Sequence, residues 1–219
     1  MANKQFAVIG VGRFGYALAV ELENSGYEVY AIDKNKERIE DIAPHVTHAV
    51  QADPSDEAVF DELGLENVDA ILIGIGRDLP AAIMVCMLAK QNHVPYVLAK
   101  ASEPIHGKIL ERIGADSVIF PEDDMGVRVA HRLISHNVLD YIELSDEYDM
   151  SNTLVPEQWI GKSISDLNIR AKYGLNIVAV RSGDNMTVSP GAKYVFIPHD
   201  VMIVIARTND LVRFESTFQ

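Results

Sequence analysis

Six short apolar runs, each separated from the next by a single amphipathic stretch, fill the first 121 residues and leave few folds open. The runs cover residues 5–9, 27–33 ("YEVYAID"), 46–53, 68–76 ("VDAILIGIG"), 96–101 and 116–121. The intervening segments, from "GYALAVELENSG" to "PIHGKILERIG", repeat apolar residues at helical spacing and stop at Gly26, Pro44 or Gly114. Five crossovers of helix length between strands imply parallel neighbours, because antiparallel pairs can be joined by a tight turn. "VDAILIGIG" has no polar alternation, which suits a strand covered on both faces. The fold class that follows is α/β, a Rossmann-like doubly wound parallel sheet.

The rhythm then changes. The longest helix candidate, "EDDMGVRVAHRLISHN" over residues 122–137, starts after Pro121 and carries acids in its first turn, where the helix dipole favours them. "DYIELSDEYDMSNTLVP", "LNIVAVRSGDNMTVSP" and "DVMIVIART" read as strands, with short helical pieces around "SISDLN" and "TNDLVRFES". A small α+β C-terminal module is expected, with domains at residues 1–134 and 135–219. No Gly-, Ser- or Pro-rich linker separates them, so the long helix is expected to run directly into the second module.

Bulk properties narrow the function. Thirty-two acidic residues against 19 basic ones give a net charge of −13, which argues against a nucleic-acid partner and against docking on anionic lipid. No apolar run approaches the roughly 20 residues that a membrane span needs, and the N-terminus lacks an export-signal pattern. The single Cys86 lies in the apolar helical stretch "AAIMVCMLA" and reads as a buried thiol of a cytoplasmic chain.

The first strand breaks into Gly10-x-Gly12-x-x-Gly15, a weak motif alone but a specific one between a strand and a helix. Gly10 allows the tight turn, Gly12 removes a side chain that would block a phosphate, and Gly15 lets helix and strand pack. With Phe14, these residues form the phosphate turn of a nucleotide site. Asp33, eighteen residues beyond Gly15 and followed by Lys34, stands where a carboxylate accepts ribose hydroxyls. The ends of the later strands supply Asp53, then Gly74, Ile75 and Gly76, then Lys100. Asp53 reads equally as a helix cap in "ADPSDE", and "GIG" as a simple tight turn. Arg13 is the unusual member. A guanidinium pointing outward from the turn suits a longer phosphate chain, or a phosphate presented by a neighbouring subunit. The alternative is an exposed surface arginine. The pattern leans towards ATP or ADP and leaves NAD(H) open.

No catalytic constellation accompanies the site. There is no Gly-x-Ser-x-Gly elbow, Cys-x-x-Cys pair or Walker lysine turn. His45 and His48 flank a strand start, and His131 and His136 are five apart on a helix, poorly placed to share a face. The acidic "PEDDMG" offers Glu122 as an oxygen ligand for a hard cation beside phosphates, or as helix-dipole compensation. Catalytic residues are therefore expected to be none, with a small NAD(P)-dependent oxidoreductase as the alternative and an NADH-reading regulator as a third reading.

"VIGVGRFG", the Asp33 strand end, "KILERIGADSVIFPEDDMG", "NVLDYIELSDEY" and "SISDLNIRAKYGLNIVAV" together resemble the RCK (regulator of K+ conductance, or KTN) family, most nearly the cytosolic gating subunits of Ktr-type bacterial potassium uptake systems. The match runs in family order through essentially the whole chain. The resemblance implies a homo-oligomer, dimers assembling into an octameric ring, beneath a membrane-embedded potassium-translocating subunit. It implies ATP and ADP in the Rossmann lobes, with Arg13 reaching the phosphates of an adjacent subunit. It places Glu122 at the family's site for a divalent cation (Mg or Ca) or sodium. It also implies cyclic di-AMP at the C-terminal module, on Ile164, Asn168, Arg170, Ile177 and Pro190.

Overall fold

The computed structural model describes residues 4–134 and 138–218. The chain forms two compact units, Met1–Glu122 and Asp123–Gln219.

In the first unit, strands β1 (Gln5–Ile9), β2 (Glu28–Asp33), β3 (His48–Gln51), β4 (Ala70–Ile73), β5 (Tyr96–Lys100) and β6 (Ser117–Ile119) form one parallel sheet in the order β3-β2-β1-β4-β5-β6. Between them run α1 (Arg13–Asn24), α2 (Lys36–Ile42), α3 (Glu57–Glu62), α4 (Leu79–Gln91) and α5 (Pro104–Ile113). Side-chain alternation divides the core. Ala7 and Ile9 of β1 pack on one face with Phe60, Val85, Cys86 and Leu110 of α3, α4 and α5. Val8 points to the other, with Ala19, Ile39 and Ile42 of α1 and α2. The sheet is thus wound on both faces, as the unbroken apolar strands require, and Cys86 is fully buried. Burial pushes its thiol pKa up.

Caps set the helix starts. Asn35 accepts from the Arg38 N–H at 3.2 Å before α2, and Asp78 from the Ala81 N–H at 3.1 Å before α4. Ahead of α3 the cap is Asp56, which accepts from the Ala58 N–H at 3.0 Å, so Asp53 does not hold that position.

Helix α6 (Pro121–Ile134) includes Pro121 as its first residue; the last three residues expected in it, 135–137, lie outside the described residues. In the second unit, β7 (Val138–Ser145), β8 (Tyr148–Leu154), β9 (Asn176–Ser182), β10 (Asn185–Val188) and β11 (Val201–Arg207) make an antiparallel sheet in the order β10-β9-β11-β8-β7. Helices α7 (Ile164–Leu167), α8 (Ile169–Tyr173) and α9 (Thr208–Thr217) accompany it. Trp159 is the hub of this core, with the rings of Tyr173, Phe196, Phe214 and Phe218 centred 5.3–6.1 Å away. The buried Asp200 carboxylate closes the β9–β11 end. It accepts from the Tyr194 hydroxyl at 3.0 Å, the Ile197 N–H at 3.0 Å and the Ser182 hydroxyl.

Candidate functional site

Strands β1 and β4 lie side by side while their helices leave to opposite faces, so a crevice opens beyond their carboxyl ends. The chain enters it through Gly10, whose φ of +91° is open to glycine and strained for other residues. The Gly10 N–H donates to the Ile32 carbonyl at 2.8 Å, and the Gly74 N–H to the Ile9 carbonyl at 2.6 Å. These bonds tie together the ends of β1, β2 and β4.

The glycines of this region divide by what they face. A Cβ on Gly15 would sit 2.1 Å from the Gly10 carbonyl oxygen, and one on Gly74 would sit 2.7 Å from the same oxygen. Both are glycine because the chain packs on itself there. The space left at Gly74 is therefore filled by the Gly10 carbonyl. A Cβ on Gly12 would meet nothing within 4 Å. Gly12 alone opens outward, at the start of α1. That helix has no side-chain cap and no acid in its first turn, leaving its leading N–H groups and positive end available to an anion.

Asp33 is 6% exposed and braces the turn from the side. Its Oδ2 accepts from the Val11 N–H at 2.8 Å and from Arg38 at 3.1 Å, and its Oδ1 from the Asn35 N–H at 2.8 Å. A carboxylate offers about four acceptor sites, so Oδ1 keeps capacity for a ribose hydroxyl. Arg38 was not recognisable from the glycine motif; its only signal is its place on the first turn of α2, five residues past Asp33. A depression of about 420 Å³ beside the turn is lined by Val11, Gly12, Arg13, Tyr16, Arg38 and Asp41. Arg13 is exposed, and among the described residues no carboxylate forms an ion pair with it.

The opposite wall is built around Lys100 at the end of β5. Its side chain is 13% exposed, its ammonium lies 5.9 Å from the Phe14 ring centroid, and it forms an ion pair with Glu122. That hydrogen bond from Lys100 holds the Glu122 carboxyl below its ordinary range. Gly76 packs closely here: a Cβ on it would lie 3.2 Å from the Ser102 hydroxyl oxygen and 3.8 Å from the Lys100 ammonium, and its carbonyl accepts from that hydroxyl at 2.6 Å. Ile75 joins Gly74 to Gly76, and its N–H would be 3.1 Å from a Cβ on Gly10.

Farther out, Lys34 pairs with Asp78 at 3.3 Å across an exposed surface. Asp53 accepts from the Ser55 hydroxyl at 2.6 Å and its N–H at 3.1 Å, bonds that hold its carboxyl below the usual range. It makes a local turn at the end of β3. His48 stacks on Tyr30 (centroids 4.4 Å apart) and bonds Glu28 at 3.0 Å, while His45 lies edge-on to Tyr16. His136 lies outside the described residues, as does the side chain of His131. Among the described residues no three His, Cys, Asp or Glu gather as a metal site, and Glu122 is paired with Lys100.

In the second unit, Ser163 caps α7 in a capping box with Asp166, and Asn168 takes φ +47° between α7 and α8. The Ile164 N–H donates to the Tyr194 carbonyl at 3.0 Å and the Ser165 N–H to the Ala192 carbonyl at 2.8 Å. The Ser189 N–H donates to the Val178 carbonyl at 2.7 Å. These bonds draw the backbone around Ile164, Ile177 and Pro190 into one region, with Arg170 exposed on α8.

Residues 6–121 match the TrkA-N domain and residues 153–219 the TrkA-C domain. The chain belongs to the RCK family of potassium-uptake regulators. It is 42% identical to Ktr system potassium uptake protein C of Bacillus subtilis over 97% of this chain and 96% of that one. It is 35% identical to Ktr system potassium uptake protein A of Vibrio alginolyticus, over 95% of each. Among solved structures, the GsuK RCK domain superposes with a TM-score of 0.68 at 19% identity, over 99% of this chain and 48% of that one, a likeness of fold. The NAD(P)-binding domain of an exopolyphosphatase-related protein from Archaeoglobus fulgidus aligns at 30% identity and a TM-score of 0.53, over 60% of this chain and 98% of that one. The two Ktr relatives are potassium uptake proteins, not oxidoreductases, and the chain is a regulatory subunit rather than an enzyme. Among the described residues no helix is long and apolar enough to cross a membrane.

Proposed function

We propose that this chain is a nucleotide-sensing subunit that gates a Ktr-type potassium transporter, reading ATP against ADP at the first unit's crevice. The observation that carries this is the exposed Arg13 guanidinium, with no ion-pair partner among the described residues, beside the open Gly12 at the uncapped start of α1. The turn N–H groups receive phosphate oxygens, Asp33 receives ribose, and Arg13 reaches the phosphate by which ATP exceeds ADP. The reading extends to Phe14, Lys34, Asp53, Gly74, Ile75, Gly76 and Lys100 as the rest of the lining. Such a sensor needs no turnover. A ligand shifts a two-state assembly only by its differential affinity for the two shapes, and identical subunits multiply a small bias.

The working assembly in this reading is a cytoplasmic homo-oligomeric ring on a membrane-embedded potassium-translocating subunit. A magnesium, calcium or sodium ion at Glu122 would need oxygens from elsewhere, such as phosphates or a second copy. Ile164, Asn168, Arg170, Ile177 and Pro190 carry a second, cyclic di-AMP reading, supported by the hydrogen bonds that draw together the backbone near Ile164, Ile177 and Pro190.

Calorimetric titration with ATP, ADP, NAD and NADH tests the proposal, alongside potassium flux with the membrane partner. Both adenosine phosphates should bind. Arg13→Ala should keep ADP binding while erasing the difference between ATP and ADP in flux. Binding of NADH with none of ATP or ADP would overturn the reading.

A further inference from the structure

Lys100 and Glu122 each belong to the crevice by sequence position, yet in the structure they satisfy one another. The ammonium is the more confined partner. The Lys100 side chain is 13% exposed against 69% for that of Glu122, and its ammonium is held beside Phe14 on the first turn of α1 and against Gly76. An anion seated on that turn meets a cation whose charge is already compensated. Glu122, by contrast, can swing into water at little cost.

We propose that Glu122 is an internal competitor for the nucleotide: its carboxylate occupies the Lys100 ammonium, and bound phosphate must displace it. This rests on the nucleotide reading above, with Lys100 as a phosphate partner. The consequence runs against ordinary expectation for an acidic residue in a binding site. Removing the Glu122 charge strengthens binding, because free Lys100 no longer has to be released first. The competition also makes affinity depend on where Glu122 is drawn. Anything that engages its carboxylate elsewhere frees Lys100 and tightens the nucleotide, and by reciprocity the nucleotide favours that engagement.

The test is ADP titration of the full chain in EDTA, which removes any cation contribution, for the wild type, Glu122→Gln, Lys100→Met and the double variant. A partly exposed ion pair predicts that Glu122→Gln lowers the ADP Kd about two- to five-fold. Lys100→Met should raise it, and Glu122→Gln should then change nothing in the Lys100→Met background. An equal gain from Glu122→Gln in both backgrounds would mean a general field effect and would overturn the competition, as would an unchanged or weaker Kd in the single variant. Wild-type protein that binds no ADP removes the nucleotide reading itself. Wild type that binds while Glu122→Gln is neutral removes only the competition. Glu122 is exposed, so the decisive variant does not depend on the folding of Lys100→Met.

Discussion

The first unit makes its site out of backbone, whereas the second makes its core out of side chains. At the crevice the determining contacts are carbonyls and N–H groups brought so close that Gly10, Gly15 and Gly74 can carry nothing larger. In the second unit the corresponding work falls to the ring cluster around Trp159 and the three donors on Asp200. A site of main-chain groups is preorganised by the fold itself and tolerates no change inside, yet leaves one face, at Gly12, open to a ligand. A core of side chains can be trimmed at a graded cost.

That contrast can be broken by substitution. Gly15→Ala should have the largest effect, more than about 4 kcal/mol by urea unfolding, because the clash is with a carbonyl that cannot move without dismantling the turn. A cost near 1 kcal/mol would mean the turn relaxes. Asp200→Ala should come next, losing about 3 kcal/mol in the same assay by stranding the donors of Ser182, Tyr194 and Ile197. Tyr194→Phe should lose less, about 1 kcal/mol, since two donors remain.

A smaller effect is expected from pH. Burial opposes the charge on Asp116, but hydrogen bonds from Lys90 and the Val97 N–H outweigh it and hold the carboxyl below its ordinary range. A depressed folded pKa contributes stability above the unfolded value of about 4 and loses it as pH falls through the folded one. Melting temperature measured from pH 6 downward should therefore fall less steeply in Asp116→Asn than in the wild type. Identical slopes would remove Asp116 from the acid sensitivity. Gly12→Val should have a small effect on stability, about 1 kcal/mol or less from the poorer N-cap, while abolishing ADP binding.

Much of this was legible in the sequence. Six apolar runs separated by helical stretches specify the parallel sheet, because no other connection closes it, and the glycine spacing locates the turn. Proximity across the sheet was not legible. Nothing in "GIG" reveals that Gly74 yields its space to the Gly10 carbonyl rather than to a ligand. The same holds for Arg38 on Asp33 and for Lys100 on Glu122, since long-range side-chain pairing leaves no local pattern. At the start of α3 the sequence points to Asp53 as the cap, whereas the extended backbone of Asp56 and its bond from the Ala58 N–H make Asp56 the cap. In the second unit the small antiparallel sheet follows from alternation along its strands, but the role of Trp159 as hub depends on rings from three separate segments.

The central claim, that an adenosine nucleotide lodges on the open turn of the first unit, is tested most directly by amide resonances during an ADP titration. The account predicts saturable shifts at Gly10, Gly12, Arg13, Phe14 and Asp33, with Trp159 and the second unit's core unmoved. Saturable binding that leaves the Gly12 and Arg13 amides unchanged would contradict it.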